Sequence, residues 1–123
     1  MKSLLLVGAG GFAGAVARWL LAGWAGRLLP AFPWGTLLVN GLGCFAIGMA
    51  AGWAELRGGA AEEVRLAMVV GLLGGFTTFS SFGYETFELA REGRMLPAAA
   101  NVLLQVTLGL AAVWAGDRLF HEL

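Results

Sequence analysis

The residues able to do chemistry are few, and each sits in an apolar stretch. Four sites stand out: Arg18, Asn40, the run Thr77-Thr78-Phe79-Ser80-Ser81-Phe82, and the pair Asn101 and Gln105. Polar groups at membrane depth are costly and mostly face a partner or a water-filled path. Phe79 and Phe82 are three apart and point the same way on a helix. A phenyl ring has a positive edge, so two rings along a path can contact an anion edge-on. Packing against a neighbouring helix is nevertheless the simpler reading of that spacing alone. Arg18 reads first as a helix-packing cation, or as one snorkelling to an interface, and Asn40 serves equally well as glue between helices. Cys44 has no acid or histidine near it and no partner for an internal disulfide, so it reads as a small buried hydrophobe.

The elements that must hold these groups follow from charge. Of 123 residues, 59% are hydrophobic and only 13% charged, against about 25% charged in soluble domains. Leu28 to Ala54, Leu66 to Tyr84 and Met95 to Gly116 carry no charge, and Ser3 to Gly26 is interrupted only by Arg18. A helix needs about 20 apolar residues to cross the hydrocarbon core. The chain therefore reads as an all-α membrane protein of four crossings: 3–27, 35–55, 62–91 with an interruption, and 96–118. Pro30 and Pro33 make the first turn, the charged and Gly-rich stretch Glu55 to Glu63 the second loop, and Arg91 to Arg94 the third. Pro97 suits the first turn of the last helix. Trp24, Trp34 and Trp53 lie near the loops, as interfacial rings do. Lipid is the expected surrounding. A net charge of zero gives no start to a nucleic-acid reading, and short loops leave no room for an appended enzyme domain.

The third crossing is expected to break near Gly74 to Thr78. Paired glycines and threonines weaken a helix, and each half, about 14 residues or roughly 21 Å, is too short to span alone. Broken membrane helices line cavities, because freed carbonyls and amides need polar partners. Glycines four apart (Gly10 and Gly14, Gly48 and Gly52, Gly71 and Gly75) suit close helix packing.

Orientation follows Lys and Arg in the short loops. Lys2, Arg57, Arg65 and Arg118 fall on one side, Arg27, Arg91 and Arg94 on the other, a count of four against three. So even a split predicts insertion in both directions, and a chain that inserts both ways can pair with its inverted copy as a two-fold dimer.

Three stretches then carry a resemblance. They are Gly11-Phe12-Ala13-Gly14-Ala15-Val16-Ala17-Arg18, Pro33-Trp34-Gly35-Thr36-Leu37-Leu38-Val39-Asn40-Gly41-Leu42-Gly43, and Gly71-Leu72-Leu73-Gly74-Gly75-Phe76-Thr77-Thr78-Phe79-Ser80-Ser81-Phe82 followed by Glu85. In this order they resemble the Fluc (CrcB) fluoride channels of microbial membranes. The resemblance implies a four-helix subunit in an antiparallel homodimer with two pores, exporting fluoride passively and selectively across the cell membrane. It also implies a sodium ion at the dimer centre, held by main-chain carbonyls of Gly74 and Thr77. Phe79 and Phe82 match the pore phenylalanines, Asn40 an asparagine reaching the pore, and Ser80 and Ser81 hydroxyls near it. Arg18 matches a vestibule arginine and Glu85 an acid near a pore mouth. Two departures stand out: Ser81 replaces a common threonine, and Asn101, Gln105 and Gly109 replace a tyrosine and serines, so no role carries over to those three.

Rival readings fare worse. Small multidrug exporters use a buried carboxylate in the first helix, where this chain has only Arg18. Leu4 to Ala13 imitates a dinucleotide-binding turn, but no acid follows before Glu55. Lys2, an apolar run and Ala15-Val16-Ala17 imitate a signal peptide, yet apolar character resumes after Arg18.

Overall fold

In the computed structural model, residues 1–121 are described, and they contain no strand. Helices α1 (Lys2–Leu28), α2 (Trp34–Arg57) and α5 (Met95–His121) are continuous. The third crossing is divided into α3 (residues 62–76) and α4 (Phe79–Arg91). Four segments are thus long and apolar enough to cross a membrane.

The interruption is narrower than the interval expected from sequence. Gly74–Phe76 remains helical, and only Thr77 (φ −83°, ψ 155°) and Thr78 (φ −150°, ψ 112°) are extended. The glycine pair does not make the break. Gly75 instead lies against the backbone of Gly11, so closely that a Cβ there would sit 2.5 Å from the Gly11 carbonyl oxygen. Gly10 and Gly14 on α1 likewise meet the backbone of α3 at Ala67, Leu72 and Phe76. A second seam joins α2 to α5, where Gly48 faces Val113 and Gly116 faces Phe45. Small residues let backbones touch where lipid offers no hydrophobic drive for association. Within α3, Arg65–Leu73 is π-helical, a wide winding that often accompanies functional sites.

The two ends of the bundle are tied separately. At one, Lys2 pairs with Glu63, and His121 Nε2 lies 3.5 Å from Glu55 Oε2. At the other, Arg94 Nη2 donates to the Ala31 carbonyl at 2.5 Å, linking the third loop to the first. Lys2, the second loop and His121 therefore share an end. Gly58 closes α2 in the left-handed conformation (φ 76°), which favours glycine at a helix C-terminus.

Little of the chain is buried. Val39 and Asn101 are the largest fully enclosed side chains, while Leu4, Phe12 and Trp19 are each 74% exposed. Helices apolar on all faces need lipid or another subunit around them.

Candidate functional site

The site is built around the extended pair. Thr78 N–H, which a continuous helix would direct to the Gly74 carbonyl, donates instead to Asn40 Oδ1 at 2.8 Å. Asn40 Nδ2 donates to the Thr78 carbonyl at 3.0 Å, so one α2 carboxamide engages both main-chain polar groups of a residue at the break. Thr78 Oγ1 then caps α4: it accepts from Ser81 N–H at 3.1 Å and donates to Ser81 Oγ at 3.0 Å. Threonine is a good N-cap because its oxygen satisfies an amide with no helical partner. Thr77 turns the other way, its N–H and Oγ1 both donating to the Leu73 carbonyl at 3.0 Å.

These caps act on the main chain. The amides four residues beyond Gly74 and Thr77 are those of Thr78 and Ser81, and both are held by side chains. The carbonyls of Gly74 and Thr77 therefore lack their usual helical donors. Such oxygens are hard, uncharged ligands suited to an alkali cation, so the donor set fits the sodium ion that the resemblance implies.

Two cavities meet at the break. One, of 410 Å³, is lined by Asn40, Cys44, Thr77, Phe79, Phe82 and Gln105 among others, with Gly74 at its edge. The other, of 360 Å³, is lined by Arg18, Trp19, Thr36, Ser81 and Glu85. Thr78 lines both. In the first cavity the rings of Phe79 and Phe82 stand edge-to-face, with centroids 5.3 Å apart and planes at 65°. Phe79 is 82% exposed, so its ring stands at the outer surface of the bundle. Helix α4 starts between the cavities, which sets the positive end of its dipole beside them.

In the second cavity, Thr36 Oγ1 donates to Glu85 Oε1 at 2.6 Å, while Glu85 Oε2 is enclosed without a partner. Arg18 lines the same space, supplying a cation from α1.

The sequence-derived residues thus divide into two groups. Asn40, Phe79, Phe82, Gly74 and Thr77 border the first cavity; Arg18, Ser81 and Glu85 border the second. Ser80 lines neither; its Oγ lies 3.3 Å from Thr78 Oγ1 and is exposed. On α5, Gln105 reaches the first cavity, whereas Asn101 is fully buried and donates from Nδ2 to Thr86 Oγ1 at 2.9 Å. Gly109 is buried beside Cys44, where a Cβ would stand 3.5 Å from Sγ.

Sequence reading passed over Thr36, and held Thr78 only as one member of the polar run, with no role of its own. A signal existed for Thr36, which lies four residues before Asn40 and so shares its helix face. For Thr78 the capping role needed the position of the break.

Comparison with known proteins finds relatives along nearly the whole chain. Residues 5–117 match the family described as CrcB-like protein, Camphor Resistance (CrcB). A fluoride-specific ion channel FluC of Geobacter sulfurreducens is 48% identical over 120 residues, covering 94% of each chain. The protein of that name from Solibacter usitatus is 50% identical over 113 residues, 91% of this chain and 93% of its own. One from Rhizobium etli is 44% identical over 124 residues, 100% of this chain and 99% of its own.

Proposed function

The chain belongs to the CrcB-like family, and on that footing we propose that it is a fluoride-selective channel, letting fluoride leave the cell passively and so lowering its cytoplasmic level. It is a multi-pass protein of the cell membrane, with four crossings in a single chain. The family is one of ion channels, and no catalytic role is assigned.

One observation carries the reading. At the break, hydroxyl, carboxamide and ring-edge groups surround two cavities that share Thr78. Fluoride is small and tightly hydrated, so a path through the membrane must replace water with other donors. The first cavity offers aromatic edges and carboxamide hydrogens, with no cationic side chain in its lining to trap the ion. The second offers Arg18, which attracts anions to the mouth, with Glu85 opposing over-tight capture. Ser81 and the Thr78 hydroxyl lie where the two spaces approach.

A homodimer of inverted copies completes this reading. An aromatic ring as exposed as Phe79 is matched by a partner's surface as naturally as by lipid, and the Lys and Arg count favours neither orientation. We assign a sodium ion to the Gly74 and Thr77 carbonyls of both copies. Bound there, it supplies a fixed positive charge and ties the subunits together.

The reading as a small multidrug-type transporter has no support: its first-helix carboxylate is missing here, and the matched relatives are named fluoride channels. The deciding experiment is ion efflux from liposomes holding the purified chain, comparing fluoride, chloride and a proton-driven dye. Rapid fluoride efflux with little chloride is expected. Dye transport without a fluoride leak would reverse the assignment.

A further inference from the structure

Two neighbouring residues of α4 are bonded to two different helices. Glu85 accepts from Thr36 on α2 at 2.6 Å, and Thr86 accepts from Asn101 on α5 at 2.9 Å. Successive residues of a helix point about 100° apart, so this pair of contacts fixes how far α4 is turned about its axis. Phe79, Phe82 and Thr86 follow the i, i+3, i+7 pattern of a single helix face, with Thr86 one turn beyond the rings. The rotation that Thr86 sets is therefore that of the ring-bearing face.

Thr86 also acts along its own helix. Its hydroxyl has one hydrogen, which goes to the Phe82 carbonyl at 2.7 Å. It therefore meets Asn101 as an acceptor, and Asn101 must present Nδ2. A threonine bonded back to the carbonyl four residues earlier tends to bend a helix, and here the bend falls on the Phe82 turn. Asn101 is fully buried and borders neither cavity, and its Oδ1 has no partner among the described residues. An enclosed acceptor left unpaired costs stability, whereas leucine and valine at these two positions would pack without that cost. Stability alone does not account for a polar pair here.

We propose that Thr86, held from behind by Asn101, is a positioning residue that turns the Phe82 ring edge toward the ion path and so helps set selectivity for fluoride. Neither residue touches the ion. This rests on the fluoride-channel reading above. A ring has a positive edge and a negative face, so a modest rotation of α4 exchanges attraction for repulsion. Fluoride, with the tightest hydration to replace, loses most by it. Chloride, larger and more weakly hydrated, gains little from the edge and loses little.

Efflux of fluoride and chloride from liposomes, read beside the unfolding temperature in detergent, separates positioning from support. Thr86→Val keeps the shape, removes the hydroxyl and strands Asn101 Nδ2. It should melt lower, with a fluoride-to-chloride ratio about tenfold below the parent's, the size of one lost hydrogen bond. Asn101→Leu combined with Thr86→Val makes the pair apolar, which should return the melting temperature toward the parent's while the ratio stays low. Thr86→Ser keeps the hydroxyl and should keep the ratio. A parental ratio in the double variant, a low one in Thr86→Ser, or hydroxyl-free variants that never assemble would reduce the pair to support; each overturns the proposal and leaves the channel reading standing. A parent protein that conducts no fluoride overturns both.

Discussion

Asn40 and Thr78 are paired as two strands of a sheet would be, side-chain amide against main-chain amide, at 2.8 and 3.0 Å. This contact holds α2 to the interrupted crossing and lets two consecutive residues leave the helix without orphaning the Thr78 amide. Asn40→Leu keeps the branched side-chain skeleton and removes both bonds. Leaving an enclosed amide and carbonyl unpaired costs about 1–3 kcal/mol each. A lowered unfolding temperature in detergent and near-complete loss of fluoride efflux are expected. Full efflux from this variant would remove Asn40 from the site.

The four crossings, their order and the interrupted third one were legible in the sequence, because charge depletion and helix-weakening residues are local signals. The exact break was not. Gly74 and Gly75 look like the weak point, yet Gly75 is needed where α1 comes closest, and the helix yields at Thr77 and Thr78, whose hydroxyls cap the two broken ends. Gln105 was visible as a polar residue in an apolar helix, but its link to Asn40 spans 65 positions and depends on how α2 and α5 pack. Phe79 and Phe82 were legible as sharing a face; that their rings stand edge-to-face beside a cavity required three dimensions.

Those rings make the second prediction. Phe79→Ile and Phe82→Ile replace a positive ring edge with an aliphatic surface that offers fluoride nothing in return for lost water. Each should lower fluoride efflux at least about tenfold, the change expected if the lost ring contact is worth roughly one hydrogen bond. Elution of the assembled protein from a sizing column should be unchanged, since isoleucine keeps an apolar surface at both positions and neither side chain meets the glycine seams that hold the bundle. Unaltered efflux in both variants would count against the pore.

Glycine position by position gives a third. A Cβ on Gly71 would lie 2.8 Å from the Val7 carbonyl oxygen, whereas one on Gly8 meets nothing within 4 Å. Gly71→Ala should therefore push α1 from α3 and cost about 1–3 kcal/mol, the usual range for overpacking. Gly8→Ala should be neutral or slightly stabilising, since alanine is the better helix former by about 1 kcal/mol. Thermal unfolding of the two variants side by side checks the contrast.

The fourth concerns the cation. If the Gly74 and Thr77 carbonyls of two copies hold sodium, exchanging it during purification for a larger organic cation should weaken the dimer and reduce efflux, and sodium should restore both. Size-exclusion chromatography and flux on the same sample read the two effects. A dimer indifferent to the exchange would argue that the carbonyls find another partner.

Orientation provides the last. With Lys and Arg at four against three, neither end of the bundle dominates, so small changes in loop charge should decide which way the chain inserts. Ala31→Lys with Glu92→Lys adds positive charge to the end tied by Arg94 and Ala31; Ser3→Lys with Ala61→Lys adds it to the end tied by Lys2 and Glu63. All four positions are exposed, so folding should survive. Each double variant expressed alone should insert one way, lack its inverted partner and lose most fluoride efflux. Expressed together, the two supply opposite orientations and should regain it. Full activity from either double variant alone would show that one orientation is enough, and the inverted pair would have to be abandoned.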